Sequence, residues 1–211
     1  MNPAKRQEIF TRLRAANPYP TTELEYSTPF ELLVAVVLSA QATDVSVNAA
    51  TRHLFPVANT PQAMLDLGEE KLRAYVQRIG LYQTKSKHII GMCRLLLEKH
   101  GGQVPQTMDD LISLPGVWRK TANIVLGNAF GITEGIAVDT HVTRVANRMG
   151  LADSEKQDEI EQQLCRALPK EKWTLVTHLL IFHGRTICKA QRPECPRCPV
   201  RHLCPWPDKN A

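Results

Sequence analysis

Residues 32–40 read LLVAVVLSA, nine positions without a charge and without a polar stripe at helical spacing. Thr28-Pro29-Phe30-Glu31 stands in front of the run. A threonine N-cap, proline at the first helical position and glutamate three residues on form a capping box, so the run begins as a helix. A helix apolar on every side has no face to offer water and has to be central, buried all round. It is also the longest apolar run, and it is too short to span a bilayer.

The rest of the chain reads as helices almost throughout. Residues 3–16 form an amphipathic helix (Ile9, Phe10, Leu13) closed by Asn17-Pro18, and Asp44 caps one that ends before Pro56. Thr60-Pro61 opens a short helix stopped by Gly68; Glu69 to Ile79 makes the next, stopped by Gly80. Thr84 caps a long helix running to Gly101-Gly102, and Thr107, with Asp109 and Asp110 behind it, starts another. After Gly150, Ser154 caps a helix to Leu168, and Lys172 to His183 forms the last long one. Ile132 to Val138 is a loop, and the tail from Cys188, with prolines at 193, 196, 199, 205 and 207, is irregular. No alternating strand pattern of useful length appears, so the expected class is all-α. The 211 residues suffice for one large or two small domains.

Lys and Arg number 26 against 21 Asp and Glu, a formal charge of +5 with pI near 8.9. Such basicity is compatible with nucleic acid without selecting it. The N-terminal MNPAKRQEIFTRLR is charged and amphipathic, unlike a signal peptide, so a soluble, cytoplasmic protein is expected. In a reducing compartment, six cysteines argue for metal ligation or core packing over disulfides. Cys93 and Cys165 lie among apolar neighbours on helices and read as core. Cys188, Cys195, Cys198 and Cys204 are different: C-x6-C-x2-C-x5-C places four thiols close enough to require a metal. Zinc competes with an iron–sulfur cluster here, although zinc sites usually use two separated C-x2-C knuckles and this tail has one.

The stretch with the most chemistry is Leu114 to His141, LPGVWRKTANIVLGNAFGITEGIAVDTH. A Pro-Gly turn joins two apolar runs, giving helix, tight hairpin, helix. Free N–H groups at the start of the second helix are a ready anion site, suited to a DNA phosphate. Lys120 falls in that first turn, where the positive helix end and any burial both favour the neutral amine, a nucleophile. Asp139 follows in VDTH, before a helix from Thr140 to Met149. The plainer alternatives are a solvated helix lysine and an aspartate N-cap.

These residues resemble the helix-hairpin-helix DNA glycosylases of base excision repair, and most closely their bacterial endonuclease III branch. The resemblance spans essentially the whole chain. It implies a six-helix domain over residues 22–132 and a second helical domain from residues 1–21 with 133–211, carrying the loop 188–204. It implies that Lys120 attacks the sugar C1′ with Asp139 assisting, and that double-stranded DNA with a damaged base or abasic site lies across a cleft between the domains. The tail spacing matches the family's [4Fe–4S] loop, which assigns Cys188, Cys195, Cys198 and Cys204 as ligands and turns Lys189 and Arg192 toward phosphates. Gln41, in LSAQATD, is assigned to the hole left by a flipped nucleotide, Leu81 to the wedge, and His141 to the flipped base or its phosphate. Gly116, Val117 and Trp118 are the hairpin contacts. The implied activity is removal of oxidised pyrimidines through a lysine Schiff base and β-elimination, by a bacterial, nucleoid-associated monomer.

One position departs from the pattern. Trp118 stands where the family hairpin has a second glycine, at a point expected to need a left-handed backbone or close phosphate approach. Two other readings remain: a monofunctional glycosylase of the same fold, against which Lys120 and the short chain count, and a non-catalytic iron–sulfur DNA-binding protein.

Overall fold

The computed structural model describes residues 1–209, and it is all-α: eleven helices, two 3-10 turns and no strand among the described residues. In chain order the first helices are α1 (Pro3–Ala16), α2 (Pro29–Ser39), α3 (Asp44–Leu54), α4 (Pro61–Leu67), α5 (Glu69–Val76) and α6 (Tyr82–His100). They are followed by α7 (Met108–Ile112), α8 (Arg119–Ala129), α9 (Thr140–Met149), α10 (Gln157–Ala167) and α11 (Trp173–Thr186). The chain divides into two compact units, residues 23–132 and residues 1–22 with 133–211. No helix among the described residues is long and apolar enough to cross a membrane.

In the unit 23–132, α2 is the centre that its composition demands. Every residue from Phe30 to Leu38 is buried. Thr28 Oγ1 accepts from Glu31 N at 3.1 Å, while Glu31 Oε2 accepts from Ser27 N at 2.6 Å, so the box closes one residue earlier than the ideal pattern. Helices α3, α6 and α8 pack around α2. Each fully buried leucine or valine adds about 1.5–3 kcal/mol over leaving it in water, which fixes α2 as the axis of the unit.

Several helix starts differ from the sequence reading. Thr43, not Asp44, caps α3, its Oγ1 accepting from Ser46 N at 3.2 Å. α5 ends at Val76, short of Ile79, whose N–H closes a turn onto Val76 O. α6 begins at Tyr82 behind Leu81, which has φ 58 and gives no side-chain cap, so Thr84 lies inside the helix. Ser154 does not start α10. Asn147 holds it from both sides, accepting from Ser154 N at 3.1 Å and donating to Ser154 O at 2.8 Å, and α10 begins only at Gln157.

The other unit has its own core, built from Ile9, Phe10 and Leu13 of α1 with Val142, Val145, Met149, Ile160, Leu164, Val176 and Leu180. α9 packs on α11, and it does so closely. A Cβ on Gly184 would come within 3.0 Å of His141 Cβ and 3.1 Å of Val145 Cγ2. α11 continues to Thr186, three residues past the expected end, and delivers the chain to Cys188.

Candidate active site and cysteine pocket

Leu114, Pro115, Gly116 and Val117 form a tight turn in which Val117 N donates to Leu114 O at 3.1 Å. Proline second and a left-handed glycine third, φ 78, are what a type II turn requires. Gly116 is needed for a second reason: a Cβ there would lie 2.9 Å from His88 Cβ and from His88 Nδ1. Gly91 similarly makes room for Pro115, whose Cγ would be 3.3 Å from a Cβ at 91. The hairpin is thus seated on α6 at two glycine positions.

Three hairpin expectations change in detail. Val117 is buried, and its N–H is engaged in the turn, so it has neither side chain nor amide to give a phosphate. Trp118 has φ −108 and ψ 167, ordinary extended backbone, so the expected left-handed strain is absent; Gly116 is the left-handed residue of the hairpin. Trp118 is 76 % exposed and contributes no cap to α8. Lys120 is exposed in the first turn of α8, so the protein itself does not desolvate the amine. Any desolvation has to come from what binds there.

Asp139 is the N-cap of α9, Oδ1 accepting from Val142 N at 2.8 Å, and Oδ2 is the oxygen left for other work. The cap role and a chemical role are compatible. His141 sits on the face of α9 opposite Gly184, its Nδ1 3.2 Å from Arg144 Nη2.

Gln41 and Leu81 are both exposed and both left-handed, with φ 56 and 58. Non-glycine residues held there cost on the order of 1–3 kcal/mol each and collect at functional sites. A Cβ on Gly80 would lie 3.8 Å from Gln41 O, so the two loops are brought side by side.

The four tail cysteines line one pocket, with Met149, His183, Ile187, Arg201 and Trp206. Burial is the largest influence on Cys195 and Cys198, and the neighbouring sulfurs add to it; Cys198 is pushed up to about 11. Cys195 and Cys198 therefore do not ionise easily without a compensating cation. Among the described residues, no three His, Cys, Asp or Glu side chains converge as ligands of one ion would. Lys189 is not a loose cation: its Nζ pairs with Glu194 Oε1 at 2.6 Å, and Arg197 pairs with Oε2 at 2.5 Å. Such exposed pairs contribute little to stability, because solvent screens them. Arg192 is exposed and left-handed, φ 49.

Two arginines that were not singled out in the sequence organise this loop. Arg148 donates to Lys189 O at 2.7 Å and Ala190 O at 3.2 Å, reaches Cys188 Sγ at 3.6 Å, and lies 4.0 Å over the Trp206 ring. Arg144 donates to Cys188 O at 3.0 Å and Gly184 O at 2.9 Å. The only signal in the sequence is that the two arginines are four apart on α9, one turn of one face. Cys93, by contrast, is a buried core thiol pushed up to about 12 by desolvation.

Residues 34–170 match the HhH-GPD superfamily base excision DNA repair protein family. Endonuclease III of Escherichia coli K12 is 54% identical over 209 residues, 99% of each chain. Endonuclease III of Haemophilus influenzae is 53% identical over 99% of each, and that of Bacillus subtilis 47% identical over 89% of this chain and 85% of its own. Among solved structures, a trapped endonuclease III–DNA covalent intermediate superposes with TM-score 0.92 at 43% identity, covering 97% of this chain and 96% of that one. A thermostable thymine-DNA glycosylase shares the fold, with TM-score 0.85 at 20% identity over 98% of each chain.

Proposed function

The chain belongs to the HhH-GPD superfamily of base excision DNA repair proteins, and from that premise we propose a bifunctional DNA glycosylase and abasic-site lyase acting on oxidised pyrimidines in double-stranded DNA. The observation that carries this reading is Lys120 in the first turn of an uncapped helix, directly behind the Pro115-Gly116 turn. A monofunctional glycosylase has no use for that amine.

The damaged nucleotide must leave the stack before a side chain can reach it, and a damaged pair makes this cheaper. Leu81 wedges between base steps, and Gln41 occupies the hole. Neutral Lys120 then attacks C1′; the C1′–N bond breaks and the base departs with the electron pair and a proton. Asp139 Oδ2 stabilises positive charge developing on the sugar and relays protons. The sugar ring opens to an iminium on Lys120, which acidifies C2′. Loss of that proton expels the 3′ oxygen, and the strand breaks 3′ to the lesion. Gly116 and Trp118 offer hairpin backbone to phosphate, and His141, Lys189 and Arg192 extend the contacts.

Residues 22–132, which hold α2 to α8, are read as the helix-hairpin-helix domain of this family, residues 1–21 with 133–211 as its iron–sulfur domain. Cys188, Cys195, Cys198 and Cys204 would hold a [4Fe–4S] cluster. Four cysteines line one pocket, and the match of their spacing to the family's cluster loop supports a cluster over zinc. When bound, the cluster supplies a fixed shape to the loop 188–204 and neutralises the thiolates. The protein is read as a monomer working in the bacterial cytoplasm, at the nucleoid.

The test is a denaturing gel of end-labelled duplex with one oxidised pyrimidine. The protein is expected to nick 3′ to the lesion without alkali, and Lys120→Ala to lose the nick. Base release that needs alkali to reveal it would make the enzyme monofunctional.

A further inference from the structure

Lys85 is 4 % exposed and lies on α6, which packs against α2. Burial lowers its pKa. Its Nζ donates to Leu38 O at 2.8 Å, and its N–H donates to Leu81 O at 3.0 Å. Leu38 lies in the last turn of α2, whose carbonyls have no helical partner and attract a cation. Two residues past the end of α2 comes Gln41; the residue before α6 is Leu81. One lysine therefore bonds, through its side chain, the helix end that presents Gln41 and, through its backbone, the residue Leu81 itself. Both residues are left-handed without being glycine. The core has no need of a charge at this point, since a methionine would fill the same volume without desolvating an ammonium.

We propose that Lys85 is a positioning residue for nucleotide extrusion, tying the α2 end to the α6 start so that Gln41 and Leu81 stay together in their strained conformations. The inference rests on the DNA roles read above for Gln41 and Leu81. Lys85 itself touches neither DNA nor the reacting atoms.

The consequence is selective. Extrusion from a stable pair is uphill, so weaker support for the extruded state appears in full as a slower reaction; an abasic nucleotide has no pair to break and is largely out already. Lys85→Met keeps the stem and removes the donor. Single-turnover base release from a paired oxidised pyrimidine is expected to fall about tenfold or more, the usual worth of a hydrogen bond to a charged group. Borohydride trapping on an abasic duplex is expected to stay within about threefold on the same population argument. If Lys85→Met does not fold, Lys85→Gln, which retains an amide donor, carries the same comparison with a smaller loss in the same direction. Equal losses on both substrates, or none on the paired lesion, would overturn the proposal. Failure of the wild-type protein to trap the abasic duplex would instead overturn the lyase reading.

Discussion

At the scale of single residues, the hairpin depends on Gly116 and tolerates Trp118. Gly116→Ala places a side chain on left-handed backbone and drives it into His88 Cβ, which cannot swing away. A loss of about 2–4 kcal/mol in urea unfolding is expected from strain and overpacking together. Trp118→Gly relieves no strain, because the backbone there is extended, so thermal stability should hardly move. What changes under the proposed function is access: the exposed indole would stand in the path of a phosphate approaching within about 3 Å of the hairpin amides. The glycine variant should bind abasic duplex more tightly at fixed salt, read by titration of labelled DNA. Weaker or equal binding would make the indole a stacking contact, worth about 1–3 kcal/mol in its own right. The tryptophan and the glycine could be singled out from the sequence, but which of them is left-handed could not. The turn type settles that, and it depends on the Val117–Leu114 hydrogen bond.

At the scale of elements, Asp139 caps α9, and mutation separates that cap from the chemical role proposed for it. Asp139→Asn keeps an oxygen for Val142 N and should leave the melting temperature nearly unchanged while base release collapses. Asp139→Ala should lose base release and also about 1 kcal/mol of stability, the usual worth of a cap. Equal activity in the asparagine variant would reduce Asp139 to a cap. Most helices were legible because their starts are written in local residues, as with Thr28, Thr60 and Thr107, each of which accepts from an amide three residues on. The start of α6 was not, since a left-handed Leu81 replaces the cap and no side chain marks it. Lys85 was invisible for a related reason. A lysine in the first turns of an amphipathic helix reads as solvated until α2 is laid over it. Arg148 gains its role only when a tail forty residues later folds back onto α9.

At the scale of the molecule, each unit has its own apolar core, and the cysteine pocket belongs to the unit of residues 1–22 and 133–211. Cys188, Cys198 and Cys204 pack against that core, so loss of the proposed cluster should loosen it first. Protein made anaerobically with ample iron should be yellow-brown and carry about four irons per chain, as four-cysteine ligation implies. Cys195→Ser should lose the colour, and hydrogen exchange should quicken in α9 and α11 before α2. Stoichiometric zinc without iron would overturn the cluster. The four-cysteine spacing can be read from sequence as a candidate metal site, whereas the preference for a cluster over zinc rests on the family resemblance. The chemistry itself comes down to one amine. With borohydride present, wild-type protein and abasic duplex should give a covalent adduct whose digest carries the sugar remnant on the peptide containing Lys120, and Lys120→Ala should give none. An alanine variant that traps at the wild-type yield would place the nucleophile elsewhere and contradict this account.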